Sequence, residues 1–208
     1  NKKIKIYAYC HEAPVYFLKR LPFRFFYKLF FRFIFKIIIL NNEQKKFLLK
    51  FDSSLKNFVL INNPVTLNIS IRKYQLDLES YKNTEKSFIF LASTLSYRKG
   101  YDYLLNYINN LNKRKIKFRV YGQNSSESIE IEKKFHNYNS NNFIQKFGLS
   151  NIEDIEINNF HAYISFSRSE AQPLVPLEMA FLKIPLLLSN IPAHKNIFHF
   201  DSAIFFNG

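Results

Sequence analysis

From Ser87 onward, short apolar runs alternate with segments whose apolar residues recur three and four apart. SFIFLA (87–92), KFRVYG (117–122), NFIQKFG (142–148), HAYISFS (161–167), IPLLLS (184–189) and SAIFF (202–206) read as strands. YDYLLNYINNLN (101–112), SSESIEIEKKF (125–135), SNIEDIEINNF (150–160), VPLEMAFL (175–182) and PAHKNIF (192–198) read as the intervening helices. In the third of these, Ser150 with Glu153 three residues on has the form of a capping box. Strands that are apolar along their length, each followed by a helix, predict a doubly wound parallel sheet covered on both faces. Such a sheet binds ligands beyond the carboxyl ends of its strands.

The first part is less regular. KIKIYAYC (3–10), FKIIIL (35–40) and NFVLI (57–61) read as strands, and NNEQKKFLLKF (41–51) reads as a helix capped by Asn. Pro64 in NNPV ends regular structure, and residues 66–86 read as a connector. We therefore expect two domains, a partial one over 1–60 and a larger one over 61–208. The first residue is Asn, so the chain is expected to begin partway into a longer protein.

Within 208 residues that are 47% apolar, a substantial core is expected. The single cysteine, Cys10, excludes an internal disulfide and fits a reducing, cytoplasmic compartment. The five histidines have no metal-ligand spacing, so no bound metal is expected. No run of about 20 uncharged apolar residues is present to span a membrane.

The formal net charge of +14 is concentrated at one end: residues 1–50 hold 12 basic and 2 acidic side chains, whereas residues 151–208 hold 3 basic and 6 acidic. RLPFRFFYKLFFRFIFK places Arg20, Arg24, Lys28, Arg32 and Lys36 four apart, a stripe on a helix, with Phe23, Phe26, Phe30, Phe31 and Phe33 on its other faces. This suits an anionic membrane surface, which would make the protein peripheral on the inner face of the cell membrane. It equally suits the solvated edge of an ordinary helix. RNA binding ranks behind both, because no nucleic-acid motif accompanies the charge.

Two loops carry the chemistry. In STLSYRKG (93–100), Lys99 stands just before a helix, where its ammonium and the helix N-terminus both favour an anion such as a diphosphate. It is not a P-loop, and a lysine there also serves as plain surface charge. In SRSEAQPLVPLEMA (167–180), Glu170 and Glu178 flank seven residues. Glu178 falls in the expected first turn of a helix, a comfortable place for a carboxylate, and it could also accept two hydrogen bonds from a ribose diol. Gly100, Gly122 and Gly148 fall in or beside loops after strands, where the backbone turns tightly or approaches a ligand.

SRSEAQPLVPLEMAFLKIPLLLS resembles the double-glutamate signature of the family-4 retaining glycosyltransferases of GT-B fold. The resemblance covers residues 57–208, with NNPV, FIFLASTLSYRKGYDYLL, FRVYG and FIQKFG similar to other family segments; YAYCHE and FKIIILNNEQKKFLL look like late pieces of the acceptor-side domain. It implies two Rossmann-like domains and a metal-independent hexosyltransferase without cofactor. Its partners would be a nucleotide-sugar donor such as UDP- or GDP-hexose and a surface-polysaccharide or lipid-linked glycan acceptor. By the same resemblance Glu178 binds the ribose, Glu170 contacts the donor sugar and Lys99 neutralises the leaving diphosphate. Backbone amides around Ala171 to Leu174, a stretch that includes Gln172 and Pro173, would help hold phosphate or sugar. Thr94, Arg98 and Gly148 complete the donor site.

The sequence departs from the family pattern at several places. Ser93 or Thr94 stands where an arginine is usual, with Arg98 its substitute, while Ala171 and Ile184 replace glycines and Asn196 replaces a glutamate. His11, at the end of the first strand, is a candidate cleft residue beside a plain structural role. A sugar-nucleotide epimerase of related fold, or a basic module binding anionic membrane or RNA, are the alternatives.

Overall fold

A computed structural model of the chain describes residues 5–10, 29–65, 86–111, 116–135, 144–148 and 152–207. Contacts divide it into two units, Asn1–Pro64 with Ser169–Pro173, and Val65–Arg168 with Leu174–Gly208.

The first unit has a three-stranded parallel sheet of β1 (Tyr7–Tyr9), β2 (Lys36–Ile39) and β3 (Phe58–Leu60), with β2 in the middle. Helix α1 (Asn42–Phe51) follows β2, and its cap is the expected one: Asn41 Oδ1 accepts from Gln44 N at 2.8 Å. The Gln44 side chain is buried, and it satisfies itself by accepting from Leu40 N and donating to the Cys10 carbonyl. Cys10, Phe31, Ile34, Ile37, Ile39, Leu48 and Leu55 form the core. Burial pushes the Cys10 thiol up to about 11.

The cationic stripe does not run along one helix. Lys36 lies in β2, and the Phe31, Ile34 and Ile37 side chains turn inward while Arg32, Phe33 and Lys36 stay exposed. The β-branched run at 37–39 wins the segment for the sheet. Arg20, Arg24, Lys28, Phe23 and Phe26 lie outside the described residues, as does His11.

The second unit is a six-stranded, all-parallel sheet. Its strands are β4 (Lys86–Thr94), β5 (Ile116–Gln123), β6 (Ile144–Phe147), β7 (Ala162–Ser165), β8 (Leu186–Ser189) and β9 (Ile204–Phe206). Their spatial order is β6-β5-β4-β7-β8-β9. That order reverses direction between β4 and β7, and the reversal opens the crevice in which doubly wound sheets bind ligands.

Period-two alternation sends β4 side chains to both faces. Phe90 and Ala92 join one core with α2 (Tyr101–Asn109) and α3 (Ser126–Lys134), through Leu104, Leu105, Ile108 and Ile131. Ile89 and Leu91 join the other with Met179 of α4 (Leu174–Phe181), Leu186 and Leu188. The short α5 (Pro192–Lys195) precedes β9.

One expected helix fails. Within 152–160 the chain forms two short 3₁₀ turns, Ile152–Asp154 and Ile157–Asn159, and Ser150 lies outside the described residues. The buried side chains there are Ile155, Ile157 and Phe160, spaced two and three apart, which no single α-helical face can present.

Candidate active site

Two loops of the second unit meet where the sheet reverses. The loop after β4 starts with Leu95, whose N–H donates to the Gln123 carbonyl at 2.9 Å and whose carbonyl accepts from Ser125 Oγ at 2.7 Å. Tyr97 N donates to Glu127 Oε2 at 3.0 Å, and Tyr101 N donates to the Ser96 carbonyl at 3.1 Å. Lys99 N points to Ser96 Oγ at 3.4 Å. This packing leaves the loop little freedom. It carries Arg98 and Lys99 directly before α2, and Thr94 ends β4 just ahead of it; all three are half-buried.

The loop ends at Gly100, which caps α2 with φ +71° and ψ 30°. That left-handed conformation favours glycine, and a Cβ there would overlap the Phe166 carbonyl at the end of β7. The two loops therefore touch backbone to backbone, and Arg168 N donates to the Arg98 carbonyl at 2.9 Å. Ser189 Oγ, donating to the Ser167 carbonyl at 2.6 Å, steadies the second loop from β8.

Glu178 sits deeper in α4 than its sequence suggests. The helix starts at Leu174, because proline is tolerated in a first turn and Pro176 does not mark the beginning. Glu178 is thus in the second turn, where the helix N-terminus helps a carboxylate less. Its carboxylate is half-buried and has no hydrogen-bond partner among the described residues. Burial pushes its carboxyl above the ordinary range.

The folded chain then holds this proton more tightly than the unfolded chain does. Glu178's contribution to stability is fullest below the unfolded pKa and is lost as pH rises through the raised folded value. Glu178→Gln, which keeps the shape and removes the charge, should raise Tm at neutral pH and leave it unchanged in acid. Thermal melts across pH check this; equal shifts at both ends would contradict it.

Glu170 and its neighbours group with the first unit. The Ala171 carbonyl accepts from Asn41 Nδ2, and the Gln172 carboxamide pairs both backbone groups of Asn63, at 2.6 Å and 3.1 Å. The side chain of Gln172 is thereby committed to holding the loop. Pro173 is buried, and Leu174 opens α4. Gly148 follows β6 at the sheet edge, with open space where a Cβ would stand, so no close approach demands a glycine there.

Sequence reasoning missed Arg168. Its guanidinium grips both Asp102 oxygens at 2.6 Å, donates to the Tyr97 carbonyl and lies 3.7 Å from the Tyr103 ring centre. No local pattern could reveal a pairing that spans 66 positions.

The family model of the group 1 glycosyl transferases matches residues 75–203. Among solved structures, TarM of S. aureus superposes with a TM-score of 0.75 at 19% identity, over 99% of this chain and 41% of TarM. Anabaena HepE, solved with UDP and glucose, gives 0.73 at 13% identity, over 98% of this chain and 58% of HepE. Sucrose-phosphate synthase from Thermosynechococcus elongatus gives 0.73 at 14%, over 97% and 54%. The chain thus spans less than two thirds of each of these proteins, and the likeness at such identities shows the fold, a Rossmann-like parallel-sheet architecture. No curated protein matches by sequence. With more than half of its length matched by the family model, the chain belongs to the group 1 glycosyl transferases.

Proposed function

We propose that this protein transfers a hexose from a nucleotide-sugar donor, with retention, to a surface-polysaccharide or lipid-linked glycan acceptor. The supporting observation is Glu178: a half-buried carboxylate without a described partner, on the helix that follows β7, one of the two strands between which the order reverses. A carboxylate that has lost water and gained no partner is poised to accept hydrogen bonds, and a ribose diol offers two.

Across the reversal, Lys99 and the N-terminus of α2 would receive the diphosphate. Charge grows on the leaving diphosphate as the glycosidic bond breaks, so a fixed cation there favours the transition state over the ground state. In this reading no divalent metal is required. Glu170 contacts the donor sugar, and the backbone of Ala171 to Leu174, with Thr94, Arg98 and Gly148, completes the donor site. UDP is the nucleotide to try first, since the HepE structure holds it.

A mass-spectrometric screen of UDP- and GDP-hexoses against glycan acceptors tests the reading. A product heavier by one hexose, with the donor's anomeric configuration, supports it. Free nucleotide or an altered sugar without any acceptor would point to an epimerase instead.

For location, we infer contact with an anionic membrane surface. Leu29, Phe30 and Phe33 are exposed beside exposed Arg32 and Lys36, a mixture suited to the headgroup boundary. No helix among the described residues is long and apolar enough to cross a membrane. Flotation with anionic but not neutral vesicles is the expected result; flotation with neither would sink the idea.

A further inference from the structure

We infer that Arg168 is a positioning residue for the diphosphate end of the site, an inference that rests on the proposed donor-binding reading. Three groups converge on its guanidinium: the carbonyl of Tyr97 in the loop after β4, and the carboxylate of Asp102 and the ring of Tyr103 in the first turn of α2. Its own backbone N–H holds the Arg98 carbonyl. Tyr97 is therefore gripped twice, at its N–H by Glu127 and at its carbonyl by Arg168, and Lys99 follows two residues later. The ion pair is partly shielded, with side-chain exposures of 34% for Arg168 and 17% for Asp102.

The pair also has an electrostatic consequence. An unpaired Asp102 would place a negative charge in the first turn of α2, beside the N-terminus that would receive a diphosphate. Like charges at that range repel, and the repulsion opposes the helix dipole. The two-pronged bond to Arg168 cancels that charge while keeping the carboxylate in place, a geometry that lysine cannot reproduce. Arg168 thus orders the loop that carries Lys99 and clears the anion's approach, without touching the anion itself.

This separates from plain structural support in a titration. With UDP and uridine as probes, Arg168→Met should weaken UDP by about 30-fold, the range of one charge-assisted interaction, and leave uridine within about twofold. The double variant Arg168→Met/Asp102→Asn should recover most of the UDP affinity, because the exposed charge has gone. Parallel losses for UDP and uridine, or a double variant no better than the single one, would overturn the inference.

Hydrogen exchange on the unliganded protein provides an independent arm. Amides at residues 96–100 should exchange faster in Arg168→Met and, more mildly, in Arg168→Lys; unchanged exchange overturns the loop-holding role. If the wild type binds neither UDP nor uridine, the donor-site reading fails while the exchange result still decides whether Arg168 holds the loop. Should Arg168→Met fail to fold, Arg168→Lys takes its place in both arms, with a smaller UDP loss expected because its charge is kept.

Discussion

Gly100→Ala should lower Tm by roughly 10 °C, the drop expected for a loss of about 3–5 kcal/mol in a domain of this size. Two costs add. The backbone at Gly100 has φ +71°, where a Cβ costs about 1–2 kcal/mol from its own chain. The larger cost is steric, because the new methyl overlaps the Phe166 carbonyl and stands 2.6 Å from its Cβ. Both of those atoms belong to a buried strand end that cannot swing aside. Relief requires the loops after β4 and β7 to part, so nucleotide binding should weaken along with stability. Gly148→Ala is the internal control: nothing lies within 4 Å of its Cβ position, and its Tm should change little. Thermal melts of the two variants side by side decide the matter, and equal shifts would refute this description of the reversal point.

Lys99→Met should lower kcat for sugar transfer by about 10²–10³-fold, the loss typical when one preorganised charge-stabilising group is removed. KM for the donor should rise far less, because the diphosphate gains most of its leaving-group charge only as the bond to the sugar breaks. Methionine keeps much of the apolar stem, and Lys99 is only half-buried, so Tm should hold. Steady-state kinetics on the folded variant check this. A variant whose KM rises while kcat stays put would make Lys99 a binding group alone.

Much of the fold was legible because the physics that sets it is local. Strand β4 is apolar on both faces, and α2 carries its apolar residues three and four apart, so composition and period agree. The Asn41 cap followed from the same local logic. Where two patterns competed, reading failed. At 150–160 the polar residues suggested a capped helix, yet Ile155, Ile157 and Phe160 needed one common side, and short 3₁₀ turns provide it. At α4, the helix expected over 175–182 starts one residue earlier, at Leu174, and this moved Glu178 out of the first turn.

The least legible parts are long-range. Arg168 with Asp102, Gln172 with Asn63 and Gly100 against Phe166 join positions that no spacing rule connects. A glycine before a helix is common, and only the carbonyl facing it explains why this one is needed. The candidate residues could be named from sequence, whereas the side chains that hold them still could not.

The carboxylate–ribose contact can be isolated by a cycle of four titrations: UDP and its 2′,3′-dideoxy counterpart, each against the wild type and Glu178→Ala. Removing the two hydroxyls should cost the wild type on the order of 100-fold in affinity, as expected for hydrogen bonds to a charged group. The same removal should cost the variant almost nothing, since the acceptor is already gone. Equal losses in both proteins would show that Glu178 does not hold the ribose, and the donor site would have to lie elsewhere on the sheet.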